Sequence, residues 1–186
     1  AHLAERYVGW LNDPEVVRYS EQRHHRHSME SCRRYVRAMA DAGNPLWAII
    51  AVDPALGHIG NISANLDLNN RICDVTILIG ERSAWGRGLG REAWTAVCDF
   101  MLGPGAMRKV VGGAMAANRA MIRIMERSAM QPDGSRPRHY LLDGVETDVV
   151  YFARYRHKVA ESSGSGTGAV RQGSDGAGSE RAKDAS

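Results

Sequence analysis

Glycines at alternate positions near the middle of the chain constrain its fold more than any other feature. Residues 82–94 read RSAWGRGLGREAW and place Gly86, Gly88 and Gly90 between an apolar run and a helix-like run. Such glycines remove side chains from a strand-to-helix turn, so successive backbone N–H groups can converge on phosphate oxygens at a helix N-terminus. Neighbouring arginines can add charge-assisted hydrogen bonds. A tight turn that binds nothing would use the same glycines, so spacing alone leaves both interpretations open.

The spacing excludes two other phosphate-binding loops. A dinucleotide fingerprint, G-x-G-x-x-G, counted from Gly86 or Gly88, would need glycine where Arg91 or Ala93 stands. The nucleoside-triphosphate loop G-x-x-x-x-G-K-[ST] occurs nowhere in the chain. Any anion held by this turn is therefore bound in a different way.

Hydrophobic periodicity predicts a helical first part, a strand-rich middle and alternating elements after the glycines. Helices are predicted at residues 3–11, 14–19, 29–42, 91–102 and 118–128, and strands at 46–53, 58–67, 71–80, 108–114, 137–142 and 145–155. Ser28 is placed to cap the third helix, and Asp143-Gly144 to form the last hairpin. The predicted inner faces of the last two helices comprise Ala93, Val97, Phe100, Met101, Met121, Ile122, Met125 and Met130.

Connection lengths predict how these strands pair. The first three predicted strands are joined by short turns, which favour an antiparallel meander. The strand–helix–strand order around residues 71–114 requires a parallel crossover. We therefore expect a single α/β (α+β) domain over residues 1–159, with a mixed, mostly antiparallel sheet, a central parallel pair and helices on both faces. Residues 160–186 are rich in glycine and serine and predict a disordered tail.

Charge and composition exclude several classes of protein. A formal charge of +3 with no basic run between aromatics predicts no nucleic-acid partner. No stretch reaches the roughly 20 apolar residues of a membrane helix, and no signal peptide is visible, so we expect a cytoplasmic protein without a membrane partner. The scattered cysteines, Cys32, Cys73 and Cys98, predict buried free thiols. Histidines near residue 25 lack partners at ligand spacing, so no metal is expected.

Three segments carry a resemblance to a known family. Arg/Gln-x-x-Gly-x-Gly/Ala between a strand and a helix is the pyrophosphate loop of the GNAT N-acetyltransferases, and DVTILIGERSAWGRGLGREAW resembles the branch with the ribosomal-protein N-terminal acetylases. NRAMIRIMERSAMQPDG is similar to the family's Asn-x-x-Ala/Ser-x-x-x-Tyr-Glu-Lys-x-Gly-Phe, and WLNDPEVVRYSEQR to the branch's opening helices. The resemblance covers most of residues 10–155 and implies the acyl-CoA N-acyltransferase fold, of which the first strand is expected to be missing here.

The resemblance also implies an activity and a set of site residues. It implies direct transfer of an acetyl group from acetyl-coenzyme A to a primary amine in a ternary complex, by a monomer or homodimer. Asp74 and Glu21 are the candidate general bases, although a solvent-facing strand carboxylate is an equal alternative for Asp74. The implied cofactor-binding residues are Ile77, Leu78, Ile79, Arg82, Trp85, Gly86, Arg87, Gly88, Leu89, Gly90 and Asn118.

Two departures from the family pattern leave alternatives open. Met125 stands where many members have a tyrosine that protonates the leaving thiolate, and Ala129 replaces a glycine. The general acid is therefore unassigned, and a non-catalytic coenzyme A-binding module is the alternative function. The acceptor is a small-molecule amine, an amino sugar nucleotide or a protein N-terminus.

Overall fold

A computed structural model describes residues 5–156, which form six strands, four α-helices and two short 3₁₀-helices. The predicted tail at 160–186 lies outside the described residues. The helices are α1 Glu5–Leu11, α2 Met29–Asp41, α3 Leu89–Leu102 and α4 Arg119–Arg127, with 3₁₀-helices at Glu21–His24 and Arg82–Ala84. The strands are β1 Leu46–Ile50, β2 His58–Asp67, β3 Ile72–Ile79, β4 Lys109–Met115, β5 Gln131–Leu142 and β6 Val145–Tyr155.

One sheet contains all six strands in the order β1-β2-β3-β4-β6-β5. Every neighbouring pair is antiparallel except β3 and β4, which are parallel. The β3–β4 ladder covers only Ile72↔Lys109, Cys73↔Val110 and Asp74↔Val111. The predicted mixed sheet with a central parallel pair is confirmed.

Helices cover both faces of this sheet, as predicted, and each face has its own apolar cluster. On one face, Trp94 of α3 and Met125 of α4 are almost fully buried against Ile59 and Val110 of the sheet. On the other, α1 and α2 contribute a smaller cluster that packs on Leu78 of β3. The members of this second cluster are Tyr7, Trp10, Leu11, Val17 and Cys32.

Local signals in the sequence explain where several elements begin and end. Ser28 caps α2 and forms a reciprocal capping box with Ser31. Gly103 ends α3. Asp143 and Gly144 both have positive φ, 53° and 80°, which is the geometry of a two-residue hairpin turn between β5 and β6.

Four predicted details are wrong. β1 ends at Ile50 rather than at residue 53, and β5 begins at Gln131 rather than at residue 137. Residues 14–19 form turns rather than a helix, because only one hydrogen bond of helical spacing, Val17 N to Asp13 O, forms there before the chain reverses. Phe100 is on the outer side of α3, 48% exposed and edge-on to Trp47, whereas Trp94 fills the inner side. The rotational setting of α3 is fixed by burial of its largest apolar side chain.

All three cysteines are free and buried, which confirms the predicted unpaired thiols. Burial raises the pKa of Cys73 and of Cys98 to about 12, so both thiols are protonated at neutral pH.

Among residues 5–156, no helix is long and apolar enough to cross a bilayer.

Candidate active site

The parallel strands separate and leave an opening in the sheet. β3 continues to Ile79 and β4 to Met115, but the last residue pair between them is Asp74↔Val111. Gly80 N donates to Ile59 O of β2, so the backbone groups of even-numbered residues in β3 face β2. Since successive residues alternate in direction, the N–H and C=O of Ile77 and Ile79 face the opening.

The three β3 residues expected to hold the cofactor arm differ in what they can offer. Ile77 has its backbone groups in the opening, whereas those of Leu78 face β2. The carbonyl of Ile79 accepts a hydrogen bond of 2.9 Å from the indole Nε1 of Trp85. An extended ligand in the opening could therefore pair with both backbone groups of Ile77 and with the N–H of Ile79.

The glycine turn, residues 86–90, follows the 3₁₀-helix after β3, and part of it adopts a backbone that only glycine enters freely. Gly86 and Gly88 have φ of 73° and 83°, and a Cβ on either would meet open space. A Cβ on Gly90 would lie 3.2 Å from Ile79 and 3.4 Å from Ile124. Two of these glycines therefore provide the bend, and the third allows α3 to approach β3 closely.

A run of free backbone donors follows from this turn. Gly88 is the N-cap residue of α3 and makes no side-chain cap. Within the described residues, no backbone N–H from residue 86 to residue 91 donates to a protein acceptor, and the first such bond is Glu92 N to Gly88 O. Unpaired N–H groups at a helix N-terminus favour an anionic ligand.

Arginines surround the same turn, and sequence reasoning missed two of them. A cavity of about 240 Å³ beside the turn is lined by Gly88, Gly90, Arg91, Arg123, Ile124 and Arg127. The missed residues are Arg123 and Arg127 of α4. Their spacing of four, extending back to Arg119, places them on one face of that helix and was the available sequence signal.

Two arginines predicted to bind the cofactor have carboxylate partners instead. Arg82 lies 3.7 Å from Asp13, pairs with Glu15, and its guanidinium lies 5.9 Å from the ring centroid of Trp85. Arg87 lies 3.6 Å from Asp53 in the β1–β2 connection. Because these pairs are largely exposed, an anionic ligand can compete for either guanidinium.

Asn118 and Leu89 have structural roles at the ends of helices. The Asn118 Oδ1 accepts from Met121 N at 3.1 Å and caps α4. Leu89, the first residue of α3, packs against the main core. Their proposed contacts with the cofactor remain predictions.

The two candidate bases lie in different parts of the structure. Asp74 belongs to the last residue pair of the β3–β4 ladder, and its side chain is exposed at the surface. The surrounding sheet still removes part of the water around the carboxyl group, and this burial raises the pKa of Asp74. Glu21 begins the first 3₁₀-helix and pairs with Arg23 at 2.8 Å and with His24 at 3.9 Å. Asp74 is therefore an exposed carboxylate with a raised pKa, whereas Glu21 is held in an ion pair.

Met125 occupies the position at which the family pattern has a tyrosine. It is fully buried, and a Cβ built on Gly112 of β4 would lie 3.4 Å from its sulfur. A thioether has no proton to donate.

No group of three or more histidine, cysteine or acidic side chains among residues 5–156 is arranged to hold a metal ion.

Comparison with known protein families identifies the family to which the chain belongs. The family described as the acetyltransferase (GNAT) domain matches residues 1–131. The chain belongs to the GNAT acetyltransferases. It is therefore an N-acetyltransferase that takes its acetyl group from acetyl-coenzyme A. A comparison with curated protein sequences gives no significant match.

Solved GNAT structures share the fold at low sequence identity. A spermidine N-acetyltransferase from Vibrio cholerae with CoA and spermine has a TM-score of 0.72 and 13% identity, over 82% of this chain and 89% of that one. A ribosomal L7/L12 alpha-N-protein acetyltransferase, RimL, with coenzyme A has a TM-score of 0.70 and 18% identity, over 81% and 86%. A GNAT acetyltransferase from Bacillus anthracis has a TM-score of 0.69 and 16% identity, over 82% and 88%.

The site of this GNAT protein fits its co-substrate in charge and shape. The free N–H groups of residues 86–91 and the guanidinium groups of the adjoining cavity suit the pyrophosphate of coenzyme A. The opening between β3 and β4 has unpaired backbone groups that suit an extended amide-containing arm. These are the two chemically different parts of the ligand.

Proposed function

We propose that this GNAT protein acetylates a primary amine by direct attack in a ternary complex, with coenzyme A held by the glycine turn and by the opening between β3 and β4. One observation carries the proposal: the free N–H groups of residues 86–91 follow the 3₁₀-helix after β3, the strand that leaves its pairing with β4 beyond Asp74. Phosphate and amide groups of one ligand can use both features together.

The proposed transfer exchanges one acyl bond for another. The amine nitrogen attacks the thioester carbonyl, a C–N bond forms, and the C–S bond breaks. The nitrogen loses one proton, and the leaving thiolate gains one to give the free thiol. At pH 7 a lysine-like amine pays about 4–5 kcal/mol to become neutral and an α-amine about 1 kcal/mol, so a base of modest strength suffices for the second kind.

Asp74 is the proposed base, since it lies at the apex of the opening. Its pKa is raised by burial, which makes the carboxylate a better proton acceptor than an ordinary aspartate. Glu21 is the second candidate, and its ion pair with Arg23 would have to be maintained or replaced during turnover. Met125 provides no acid, so the leaving thiolate is proposed to take its proton from water.

The family assignment favours catalysis over the alternative interpretation, a coenzyme A-binding module without catalysis. The observation in favour of the binding module is that Met125 fills the usual acid position and is sealed from solvent. This alternative shares the cofactor site and differs only in turnover.

The class of acceptor remains open: a small-molecule amine, an amino sugar nucleotide or a protein N-terminus. The cytoplasmic location and the monomeric or homodimeric state also remain predictions.

A thiol-release assay separates the two functions. Acetyl-coenzyme A is incubated with the protein and a panel of small amines, amino sugars and peptides, and free thiol is measured over time. The proposal requires release that depends on an acceptor and matches the acetylated product counted by mass spectrometry. Calorimetric binding of coenzyme A with no acceptor-dependent release would instead establish the binding module.

A further inference from the structure

A second cavity lies on the α1 side of the sheet, away from the glycine turn. Its volume is about 740 Å³, within the range of pockets that hold small ligands. One wall comes from the segment between α1 and α2, and the other from the β5–β6 turn. We call it the basic cleft, and its polar lining includes Arg18, Arg23, Arg26, His24, His25 and Asp143.

The walls of the basic cleft are held together by Arg23. Its Nη1 donates to Ser20 O at 2.9 Å and to Glu21 Oε1 at 2.8 Å. Its Nη2 donates to Leu141 O of β5 at 3.0 Å. Arg23 is therefore a structural residue that fixes the α1–α2 segment to β5, rather than a free ligand for a substrate.

The other two guanidinium groups are available to a ligand. Arg18 pairs with Asp143 at 3.4 Å, but the side chains are 57% and 76% exposed, so the pair is weak and open to competition. Arg26 is exposed and has no ion-pair partner among the described residues. With Arg23 paired to Glu21 and Arg18 paired to Asp143, the lining carries one guanidinium in excess of its carboxylate partners, that of Arg26.

The basic cleft borders the strand that leads to the glycine turn. Leu11 and Val17 line the cleft and belong to the buried cluster that packs on Leu78 of β3. The glycine turn and its arginines lie on the opposite face, where α3 and α4 pack. A donor and an acceptor bound on these opposite faces are proposed to meet at the opening between β3 and β4.

We infer that the acceptor of this enzyme is a small primary amine that also carries a phosphate or carboxylate group, bound by Arg18 and Arg26 in the basic cleft. This inference rests on the proposed function and specifies its substrate class. Guanidinium groups recognise both anions through paired hydrogen bonds. The same groups repel polyamines, which carry several positive charges and no anion.

The test compares amines that differ only in the anionic group. The phosphate pair is glucosamine 6-phosphate against glucosamine, and the carboxylate pair is 4-aminobutanoate against butylamine. With acetyl-coenzyme A saturating, we expect kcat/KM to be at least about tenfold higher for the anionic member of one pair. The pair that shows the gain identifies the anion.

Substitutions then test whether the higher kcat/KM for the anionic amine arises in the basic cleft. Arg26→Gln and Arg18→Gln should each remove most of the advantage of the anionic amine and change kcat/KM far less for its partner that lacks the anionic group. Arg33→Gln, an exposed substitution on α2 outside the cleft, is the matched control and should change neither.

The outcomes separate this inference from the proposed function. Acetylation of glucosamine, butylamine or spermidine without a gain from the anionic group overturns the inference and leaves the acetyltransferase activity standing. Equal loss on both members of a pair in Arg26→Gln also overturns it, because Arg26 would then not recognise the anion. No acceptor-dependent thiol release with any amine, while coenzyme A still binds, overturns both.

Discussion

Asp74 and Val111 form the last residue pair of the β3–β4 ladder, and both strands continue beyond it without pairing to each other. The carboxylate of Asp74 thus lies where the opening for the cofactor arm begins. Its side chain shares a sheet face with Thr76 and Leu78, because alternate residues of a strand point the same way. That face also packs on α1, beside the basic cleft.

Replacing Asp74 by asparagine should lower kcat more than it changes the affinity for coenzyme A. The amide keeps the size of the side chain but cannot accept a proton from the amine. We expect kcat to fall by about 100-fold, within the usual range for a lost general base. Steady-state rates with calorimetry on the same protein provide the measurement, and an unchanged kcat would remove Asp74 from the mechanism.

The pH dependence of the rate offers a second test of Asp74. A base must be deprotonated, so kcat/KM should fall as the pH drops through its pKa, which burial places above the ordinary value of about 3.9. Asn65 is its cross-strand partner. Asn65→Asp would place a like charge opposite Asp74, raise its pKa further and move the acid limb to higher pH. An acid limb that stays in place would contradict this assignment.

Arg123 and Arg127 should each strengthen binding of coenzyme A. Substitution by glutamine removes one guanidinium from the cavity beside the glycine turn, so we expect Kd to rise by about tenfold for each. The effect should shrink at high salt. Arg119→Gln, on the same helix but outside the cavity lining, is the control, and an equal loss in all three variants would point to general charge rather than a specific site.

Lys109 and Asp133 should stabilise the fold between mildly acidic and mildly alkaline pH. They lie 2.6 Å apart, and Tyr155 donates to the same carboxylate at 3.0 Å. The hydrogen bond from Lys109 lowers the pKa of Asp133, so its contribution is lost as the pH falls through the folded-state value. The hydrogen bond to Asp133 raises the pKa of Lys109, so that contribution is lost as the pH rises through the folded-state value.

Denaturant unfolding of Asp133→Asn measures this contribution. At pH 7 the variant should lose about 1 kcal/mol of unfolding free energy, because the pair is partly shielded from solvent. The difference from the unmodified protein should begin to narrow below about pH 4, where the Asp133 carboxylate of the unfolded chain takes up a proton, and should vanish only as the pH falls through the lower pKa of the folded state. A loss that stays constant across this range would show that packing, not charge, is responsible.

Local patterns were sufficient to predict most of the architecture. Apolar periodicity and turn residues located the strands and the longer helices, and connection lengths gave the parallel pair, because these features depend on short-range chain geometry. The helix predicted at 14–19 was wrong because a single turn lacks enough internal hydrogen bonds to persist as a helix. The prediction that Phe100 lies on the inner face was wrong because the rotation of α3 about its axis depends on which large side chain the sheet can bury.

The candidate site was predictable only where it is local in sequence. The glycine turn is one continuous stretch, so its spacing alone indicated an anion site. The basic cleft is not a continuous stretch of sequence. Arg26 and Asp143 are far apart in the chain and line the same cavity only because the β5–β6 turn lies beside the α1–α2 segment. Likewise, the ion pairs of Arg82 and Arg87 depend on tertiary contacts.

Calorimetric titration of coenzyme A into Gly88→Glu tests the central claim most directly. Gly88 and Gly43 both have positive φ and open space around a built Cβ, so glutamate strains either backbone similarly. Gly43 follows α2, away from the turn. We predict that Gly88→Glu, which adds a carboxylate among the free N–H groups, loses coenzyme A binding by about 100-fold or more while Gly43→Glu binds normally. Equal binding by the two variants would contradict the account.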